Sequence, residues 1–159
     1  MKSKVRLSTY AFVLTLIVNV VLVICCIATF NEKPGFWVIL AIWFLFLVLG
    51  LLYGPTQIIA NENHIIVKSS LRKQKILVCN IDSVELFQPT MGAYRLYASG
   101  GFFGYWGVFR EGDIGRYTAY YGKASDCFLI RMKNGDKYVL GCQNPKEMVN
   151  YIKSHLPRQ

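Results

Sequence analysis

The sequence of 159 residues is 53% hydrophobic and yet carries a formal net charge of +9. This pairing is unusual for a soluble protein, and the length leaves room for one domain and a small additional element. The five cysteines form no C-x-x-C pair and the two histidines, His64 and His155, are far apart, so neither a disulfide framework nor a zinc site is supported. Reduced, buried thiols are expected, and no metal or cofactor.

Two uncharged apolar runs, residues 8–30 and 36–54, lie near the N-terminus and are separated by "NEKPG". As a helix the first run is roughly 35 Å long, at about 1.5 Å per residue, which is enough for a hydrocarbon core of roughly 30 Å. Residues 1–54 are therefore predicted to form a transmembrane helical hairpin. A cleaved signal peptide is the poorer alternative, because the first run exceeds a typical signal core and no A-x-A site follows it.

Basic residues near the two runs predict the orientation of this hairpin. Lys2, Lys4 and Arg6 precede the first run without any acidic residue, and residues 55–159 contain fourteen Lys and Arg against eight Asp and Glu. Because cytoplasmic segments next to membrane spans are rich in Lys and Arg, both termini are expected in the cytoplasm. The positive charge also fits a domain near an anionic leaflet, and ordinary solubility explains it equally well. Asn19, inside the first run, is predicted to hydrogen bond to the other helix.

After Pro55 the pattern changes to short strands with turns between them. Seven strands are predicted, at residues 56–60, 64–70, 74–79, 83–88, 116–122, 126–133 and 136–142. In the fifth of these, alternation places Tyr117, Ala119 and Tyr121 on one face. Asn134-Gly135 is a strong hairpin signal and predicts a type I′ turn.

The chain is predicted to end in a helix with clear start signals. Asn144 is expected to cap it, Pro145 suits its first position, and Glu147 completes an approximate capping box. An apolar stripe at helical spacing predicts the buried face: Met148, Val149, Ile152 and Leu156. Seven antiparallel strands and one helix indicate a small barrel, or two packed sheets, closed by the helix.

Residues 55–156 resemble a pleckstrin-homology-like (PH-like) domain, specifically the bacterial PH domains that follow a pair of membrane spans. The resemblance is carried by "IDSVELF", "GGFFGYWGVFREGDIGRYTAYYG" and "YVLGCQNPKEMVNYI". It implies a mainly-β PH-like barrel with a C-terminal α-helix over residues 55–159, in a multi-pass protein of the bacterial cytoplasmic (inner) membrane. Since this scaffold hosts lipid, peptide and protein binding alike, the resemblance implies little about activity.

The glycine- and aromatic-rich segment, residues 97–116, is expected to be a long connection between strands. Its glycines follow G-x-x-G-x-x-G without a Gly-Lys-Ser/Thr element, and a strand rather than a helix comes next, so the pattern disfavours a phosphate cradle. Two interpretations remain open: the rings seal the barrel as a lid, or they contact lipid or protein. Glu111 and Asp113, in the same segment, count against the lipid contact. The candidate contact residues are Phe102, Phe103, Tyr105, Trp106 and Phe109, with Arg95, Arg110 and Arg116 flanking them.

The sequence contains no convincing nucleophile, metal set or acid–base pair, so an enzyme is not expected. The prediction is a membrane-anchored, non-catalytic binding or assembly module at the cytoplasmic face of the membrane. Its expected partners are membrane lipids and a protein or a second copy of the chain, not nucleic acid. The alternative is an accessory or regulatory subunit of a membrane complex that recognises its partner through the transmembrane hairpin.

Overall fold

The computed structural model describes residues 1–90, 92–112 and 114–156. Two long apolar helices, α1 (Thr9–Ala28) and α2 (Lys33–Tyr53), occupy the predicted runs. Ser8 caps α1 by accepting a hydrogen bond from the Ala11 N–H at 3.1 Å. Mean hydropathies of 3.0 and 2.7 make both helices apolar enough to cross a membrane, and few of their side chains are buried within the chain itself.

Asn19 joins the two helices, as predicted. Its Oδ1 accepts a hydrogen bond from Trp43 Nε1 at 3.1 Å, and its Nδ2 donates to the Thr15 carbonyl at 2.7 Å. Both polar groups of the amide are therefore satisfied among apolar side chains.

The β region consists of two sheets and a C-terminal helix, α3 (Pro145–Ser154). The first sheet has the order β1-β2-β3-β4 and contains β1 (Lys2–Lys4), β2 (Pro55–Ala60), β3 (His64–Ser69) and β4 (Lys73–Leu77). The second has the order β5-β9-β10-β8-β7-β6 and contains β5 (Ile81–Leu86), β6 (Tyr94–Gly101), β7 (Gly104–Glu111), β8 (Gly115–Tyr121), β9 (Cys127–Met132) and β10 (Lys137–Gly141).

The predicted fold class is confirmed, with two packed sheets in place of a closed barrel. The seven predicted strands all form, but β1, β6 and β7 are additional. The expectation of antiparallel pairing throughout is wrong, because β8 and β10 run parallel, with Tyr138 opposite Thr118. The short 3₁₀ turn and β9 between them return the chain to the end where β8 began.

The first residues lie between the two sheets and connect them. Lys2 pairs with Ile59 of β2, the Lys4 carbonyl accepts from the Gln143 N–H at 3.0 Å, and the Ser8 N–H donates to the Gly122 carbonyl at 2.8 Å. The start of α1 and the end of α2 consequently lie at the same end of the β region. The division of the chain at residue 54 stays a prediction, and β1 belongs to the first sheet.

The main core lies where both sheets meet α3. Met148, Val149 and Ile152 are buried there and Leu156 is partly buried, which confirms the predicted stripe. The predicted capping box is wrong in its geometry, because the Asn144 side chain donates to the Glu147 carboxylate at 3.2 Å and caps no backbone N–H.

A second core cluster contains Tyr117, Ala119 and Tyr121, so the predicted face of β8 is confirmed. The predicted β9–β10 hairpin also forms, but its turn is not type I′. Gly135 has φ +88, whereas Asn134 is outside the positive-φ region and accepts a hydrogen bond from the Asp136 N–H through its side chain. An Asx turn therefore replaces the expected geometry.

The five cysteines are free thiols. Cys26, Cys127 and Cys142 are buried, as predicted, whereas Cys79 is exposed. Its exposure follows from its place in the short turn between β4 and β5, outside the sheet cores.

Candidate functional site

The glycine- and aromatic-rich segment is a β-hairpin, so its interpretation as a long connection is wrong. β6 and β7 pair from Tyr94 opposite Arg110 to Gly101 opposite Gly104, with Phe102 and Phe103 as a two-residue turn. Glycine is required in this hairpin for close approach: a Cβ at Gly107, where φ is +111, would lie 2.7 Å from the Ala98 Cα.

The turn of this hairpin is hydrogen bonded to α1. The Phe103 N–H donates to Thr15 Oγ1 at 2.9 Å. The same hydroxyl lies 3.3 Å from the Gly101 carbonyl oxygen and 2.7 Å from the Ala11 carbonyl oxygen. One threonine side chain in an apolar helix thus satisfies a backbone donor and approaches a backbone acceptor of the turn.

The ring of Phe103 packs on a glycine of α2. A Cβ at Gly50 would approach two ring atoms of Phe103 to 2.9 Å and a third still more closely. Phe103 itself has φ +54, a left-handed conformation that costs a non-glycine residue on the order of 1–3 kcal/mol. The contact with Gly50 and the hydrogen bond to Thr15 offset that cost. The left-handed conformation of Phe103 is therefore held by its contacts with the two helices.

Further aromatic contacts extend this junction along α2. The rings of Phe102 and Phe46 meet edge to face at 5.9 Å, and Trp106 stacks on Tyr53 with centroids 5.3 Å apart. Trp106 Nε1 also donates to the Phe102 carbonyl at 2.9 Å. We call this set of residues the hairpin–helix junction; it comprises Thr15, Phe46, Gly50, Tyr53, Phe102, Phe103 and Trp106.

The junction starts at Tyr53, the last residue of α2, and extends along both helices away from the β region. Thr15 is six residues inside α1, which corresponds to about 9 Å at 1.5 Å per residue. Phe46 is seven residues before the end of α2, or about 10 Å. The hairpin therefore extends alongside the helix pair instead of folding back over the sheets.

The structure separates the other candidate contact residues from this junction. Tyr105 stacks on Tyr121 at 4.8 Å, and Phe109, which is buried, stacks on Tyr117 at 5.9 Å. These two rings belong to the second core cluster.

The flanking arginines do not gather around the aromatic turn. Arg110 and Arg116 are register partners and are exposed. They lie seven residues along β7 from Phe103, or about 23 Å at roughly 3.3 Å per residue. Arg95 lies on β6, and its guanidinium folds over Gly100. The binding role of all eight candidate residues stays a prediction.

Glu111 is buried and supports the segment before β6. One carboxylate oxygen accepts from the Thr90 N–H at 3.0 Å and the other accepts from the Tyr117 hydroxyl at 3.3 Å. Burial, with the Glu111 charge as a smaller contribution, raises the pKa of Tyr117 above its ordinary value. Asp113 lies outside the described residues. Glu111 is thus a structural group and not part of a surface loop.

Sequence reasoning missed an exposed aromatic face on β6. Tyr94 is 76% exposed and Tyr97 is 83% exposed, with Leu96 between them at 46%. β6 is the terminal strand of its sheet, so one of its edges is unpaired. A register shift between Arg95 and Tyr97 disturbs the alternation that would have indicated a face, and only the sheet order shows that this strand is an edge.

Within residues 1–90, 92–112 and 114–156, no group of three His, Cys, Asp or Glu side chains is placed to hold a metal ion. A cavity of about 410 Å³ lies near the C-terminal end of α3, between Glu62, Cys79 and His155. The hairpin–helix junction and the exposed face of β6 are therefore the candidate functional sites.

A family model described as a bacterial PH domain matches residues 56–156. No curated protein and no solved structure matches the chain. The matched span begins one residue into β2 and ends just after α3, so it covers β2 to β10 and the C-terminal helix and leaves out β1. The resemblance predicted from the sequence is confirmed, and because the match covers more than half of the chain, the protein belongs to the bacterial PH domain family.

Proposed function

We propose that this protein is a membrane-anchored, non-catalytic PH-like module that binds or assembles at the cytoplasmic face of the bacterial cytoplasmic membrane. The observation that carries the proposal is the hairpin–helix junction, which joins the PH-like region to two apolar helices as one packed unit. A rigid junction of this kind holds the free surfaces of the module at a set height above the membrane.

The dimensions of the helices support membrane insertion. α1 and α2 have 20 and 21 residues, so each is about 30 Å long, close to the thickness of a hydrocarbon core. Leucine, isoleucine, valine and phenylalanine side chains are exposed around both helices. Exposure of so much contiguous apolar surface is unfavourable in water and favourable in lipid.

The position of β1 supports an arrangement with both termini on one side. β1 precedes α1 and pairs with β2, which follows α2, so the chain leaves and rejoins the same end of the β region. Arg6 lies at that end, while Lys4 and Lys2 lie further along β1, opposite Gln57 and Ile59. All three basic residues precede α1 on the side of the β region, and the positive-inside rule then favours the cytoplasm for that side.

If the helix ends mark the membrane surface, the hairpin turn reaches about 9 Å below it, which is the depth at which amphipathic segments bury their apolar residues. Unpaired backbone groups are costly there. The Thr15 hydroxyl supplies the required hydrogen bond to Phe103. On this proposal Phe102 and Phe103 lie at the boundary between headgroups and acyl chains.

The β6 face is the proposed surface for a protein partner or a second copy of the chain. Exposed tyrosines next to Arg95 have the composition of an interface centre. The unpaired edge of β6 offers backbone donors and acceptors to an added strand.

Membrane anchoring is tested by carbonate extraction of the full-length chain and by reporter fusions after residue 156 and within residues 31–35. The expected result is resistance to carbonate, with the first fusion active in the cytoplasm and the second outside it. Release into the supernatant, or the opposite fusion pattern, would contradict the proposal.

The partner surface is tested by photocrosslinking in cells from an unnatural amino acid at Tyr97, with the exposed Lys133 in the β9–β10 turn as a matched control. A discrete adduct from position 97 that is missing at position 133 is expected. Adducts that form only from positions on α1 and α2 would instead support recognition through the helices.

A further inference from the structure

The turn between β3 and β4, residues 70–72, contacts the end of α2. The Leu71 N–H donates to the Leu51 carbonyl at 3.1 Å, and the Arg72 guanidinium lies 5.2 Å from the centre of the Tyr53 ring. The Leu71 side chain nevertheless is 64% exposed. The backbone of this turn is therefore held at the height of the last turn of α2, while an apolar side chain extends from it.

The turn is surrounded by positive charge. Residues 64–81 contain Lys68, Arg72, Lys73 and Lys75 and no acidic residue. Lys68 and Lys73 are register partners on β3 and β4, an arrangement of like charges that is unfavourable in an isolated sheet. Among the residues that the structure describes, the ion pair formed is Arg131 with Glu85, which leaves these basic side chains without a carboxylate partner.

The opposite end of the same sheet has a different character. The β2–β3 turn, residues 61–63, reads Asn-Glu-Asn and contains no basic residue. Of these two turns, the one that adjoins the helices is the one rich in basic residues, while the Met1 ammonium and Lys2 of β1 lie near the other. An exposed leucine between basic residues at a helix end is suited to an anionic membrane surface. There the apolar side chain can enter the acyl-chain region while the basic side chains bind the phosphates above it.

We infer that the β3–β4 turn is a contact site for anionic phospholipid headgroups, with Leu71 in the interface and Lys68, Arg72 and Lys73 on the phosphates. This inference rests on the proposed membrane anchoring, because α2 sets the height of the turn. It adds a second membrane contact, on the other sheet from the aromatic hairpin, and together the two orient the module on the membrane.

The test uses the full-length chain in mild detergent, titrated with phosphatidylglycerol or phosphatidylcholine and followed by native mass spectrometry. Each basic residue near an anionic surface strengthens association about fivefold, so Arg72→Gln/Lys73→Gln should weaken phosphatidylglycerol binding about 25-fold. The matched control, Lys133→Gln/Lys153→Gln, makes the same change in net charge at exposed positions remote from the turn and should stay within about twofold of the wild type.

Leu71→Ser provides an independent variant, with Leu77→Ser as its control. Leu77 is exposed at the far end of β4. Weaker phosphatidylglycerol binding by the first variant alone supports the inference. Equal losses in the Arg72/Lys73 variant and its control, or no loss in either, would overturn it. Failure of the wild-type chain to resist carbonate extraction would overturn the anchoring itself, whereas an inserted protein with unchanged lipid binding would overturn only the lipid site.

Discussion

Gly50→Ala tests whether the hairpin–helix junction is a packed contact. The added methyl group would meet the Phe103 ring at 2.9 Å or less, well inside van der Waals distance, and Phe103 is held by its backbone bond to Thr15. Gly35→Ala makes the same substitution earlier in α2, where the nearest atoms are 3.9 Å away. The pair isolates the steric effect from the general preference of helices for alanine.

The expected change in the free energy of hairpin docking depends on whether each effect of Gly50→Ala acts on the docked state alone or on both states. The helix-propensity gain of alanine, about 1 kcal/mol, applies whether or not the hairpin is docked and therefore cancels from the docking equilibrium. The overpacking cost, about 1–3 kcal/mol, applies only to the docked state. Docking should be weakened roughly 5- to 150-fold, at about 1.4 kcal/mol per factor of ten.

The assay is hydrogen–deuterium exchange of a peptide spanning residues 98–108, with the full-length protein in lipid nanodiscs. Exchange of the Phe103 amide should accelerate by that factor in Gly50→Ala and not in Gly35→Ala. Phe103→Ala removes the ring that the methyl group strikes, so in that background Gly50→Ala should have little further effect. Equal exchange in the two glycine variants, or a Gly50→Ala effect that persists without the ring, would refute the packing argument.

Three further predictions follow from individual contacts. Thr15→Val should lower the stability of the docked turn by about 1–3 kcal/mol in the same exchange assay, because a backbone N–H loses its acceptor, while Thr29→Val, whose hydroxyl bonds within its own helix, should not. Asn19→Leu should lower the free energy of unfolding in SDS by about 0.6–1.7 kcal/mol through loss of the Trp43 hydrogen bond, and an unchanged free energy would contradict this coupling. Tyr117→Phe should reduce the slope with which the free energy of unfolding falls above pH 10. The reduction should reach up to about 1.4 kcal/mol per pH unit, measured by chemical unfolding at several pH values. Burial raises the folded-state pKa of Tyr117, so its contribution is complete below pH 10 and is lost as the pH rises; a slope equal to that of the wild type would show that the hydroxyl ionises equally in both states.

Much of the fold was predictable because its signals are local. Uncharged runs predict α1 and α2, alternation predicts β8, and the stripe from Met148 to Ile152 predicts the buried face of α3. Each of these depends on residues within one element, where the helical or strand period alone decides which side chains share a face. The family match confirmed what these local signals indicated together.

The hairpin was missed because its signals conflict. Glycines and aromatics in β6 and β7 do not alternate in polarity, and the shift at Leu96 exposes consecutive side chains. The N-terminal strand β1 was missed for a related reason, since three residues with two lysines have no strand pattern of their own. They form a strand only because β2 supplies the backbone hydrogen bonds.

The two apolar helices, the strand-rich region and the final helix follow from local sequence, because hydrophobic period and length act within short stretches of chain. The contacts of the aromatic segment, in contrast, depend on tertiary structure. Thr15 and Phe103 are 88 residues apart, and the reason for glycine at position 50 exists only once the Phe103 ring lies against it. Likewise nothing in the sequence sets Leu71 apart from the other leucines. Its position beside the end of α2 is seen only in the structure, where its N–H donates to the Leu51 carbonyl. Contacts of this kind need both partners in place, so they are properties of the packed chain and of no single segment.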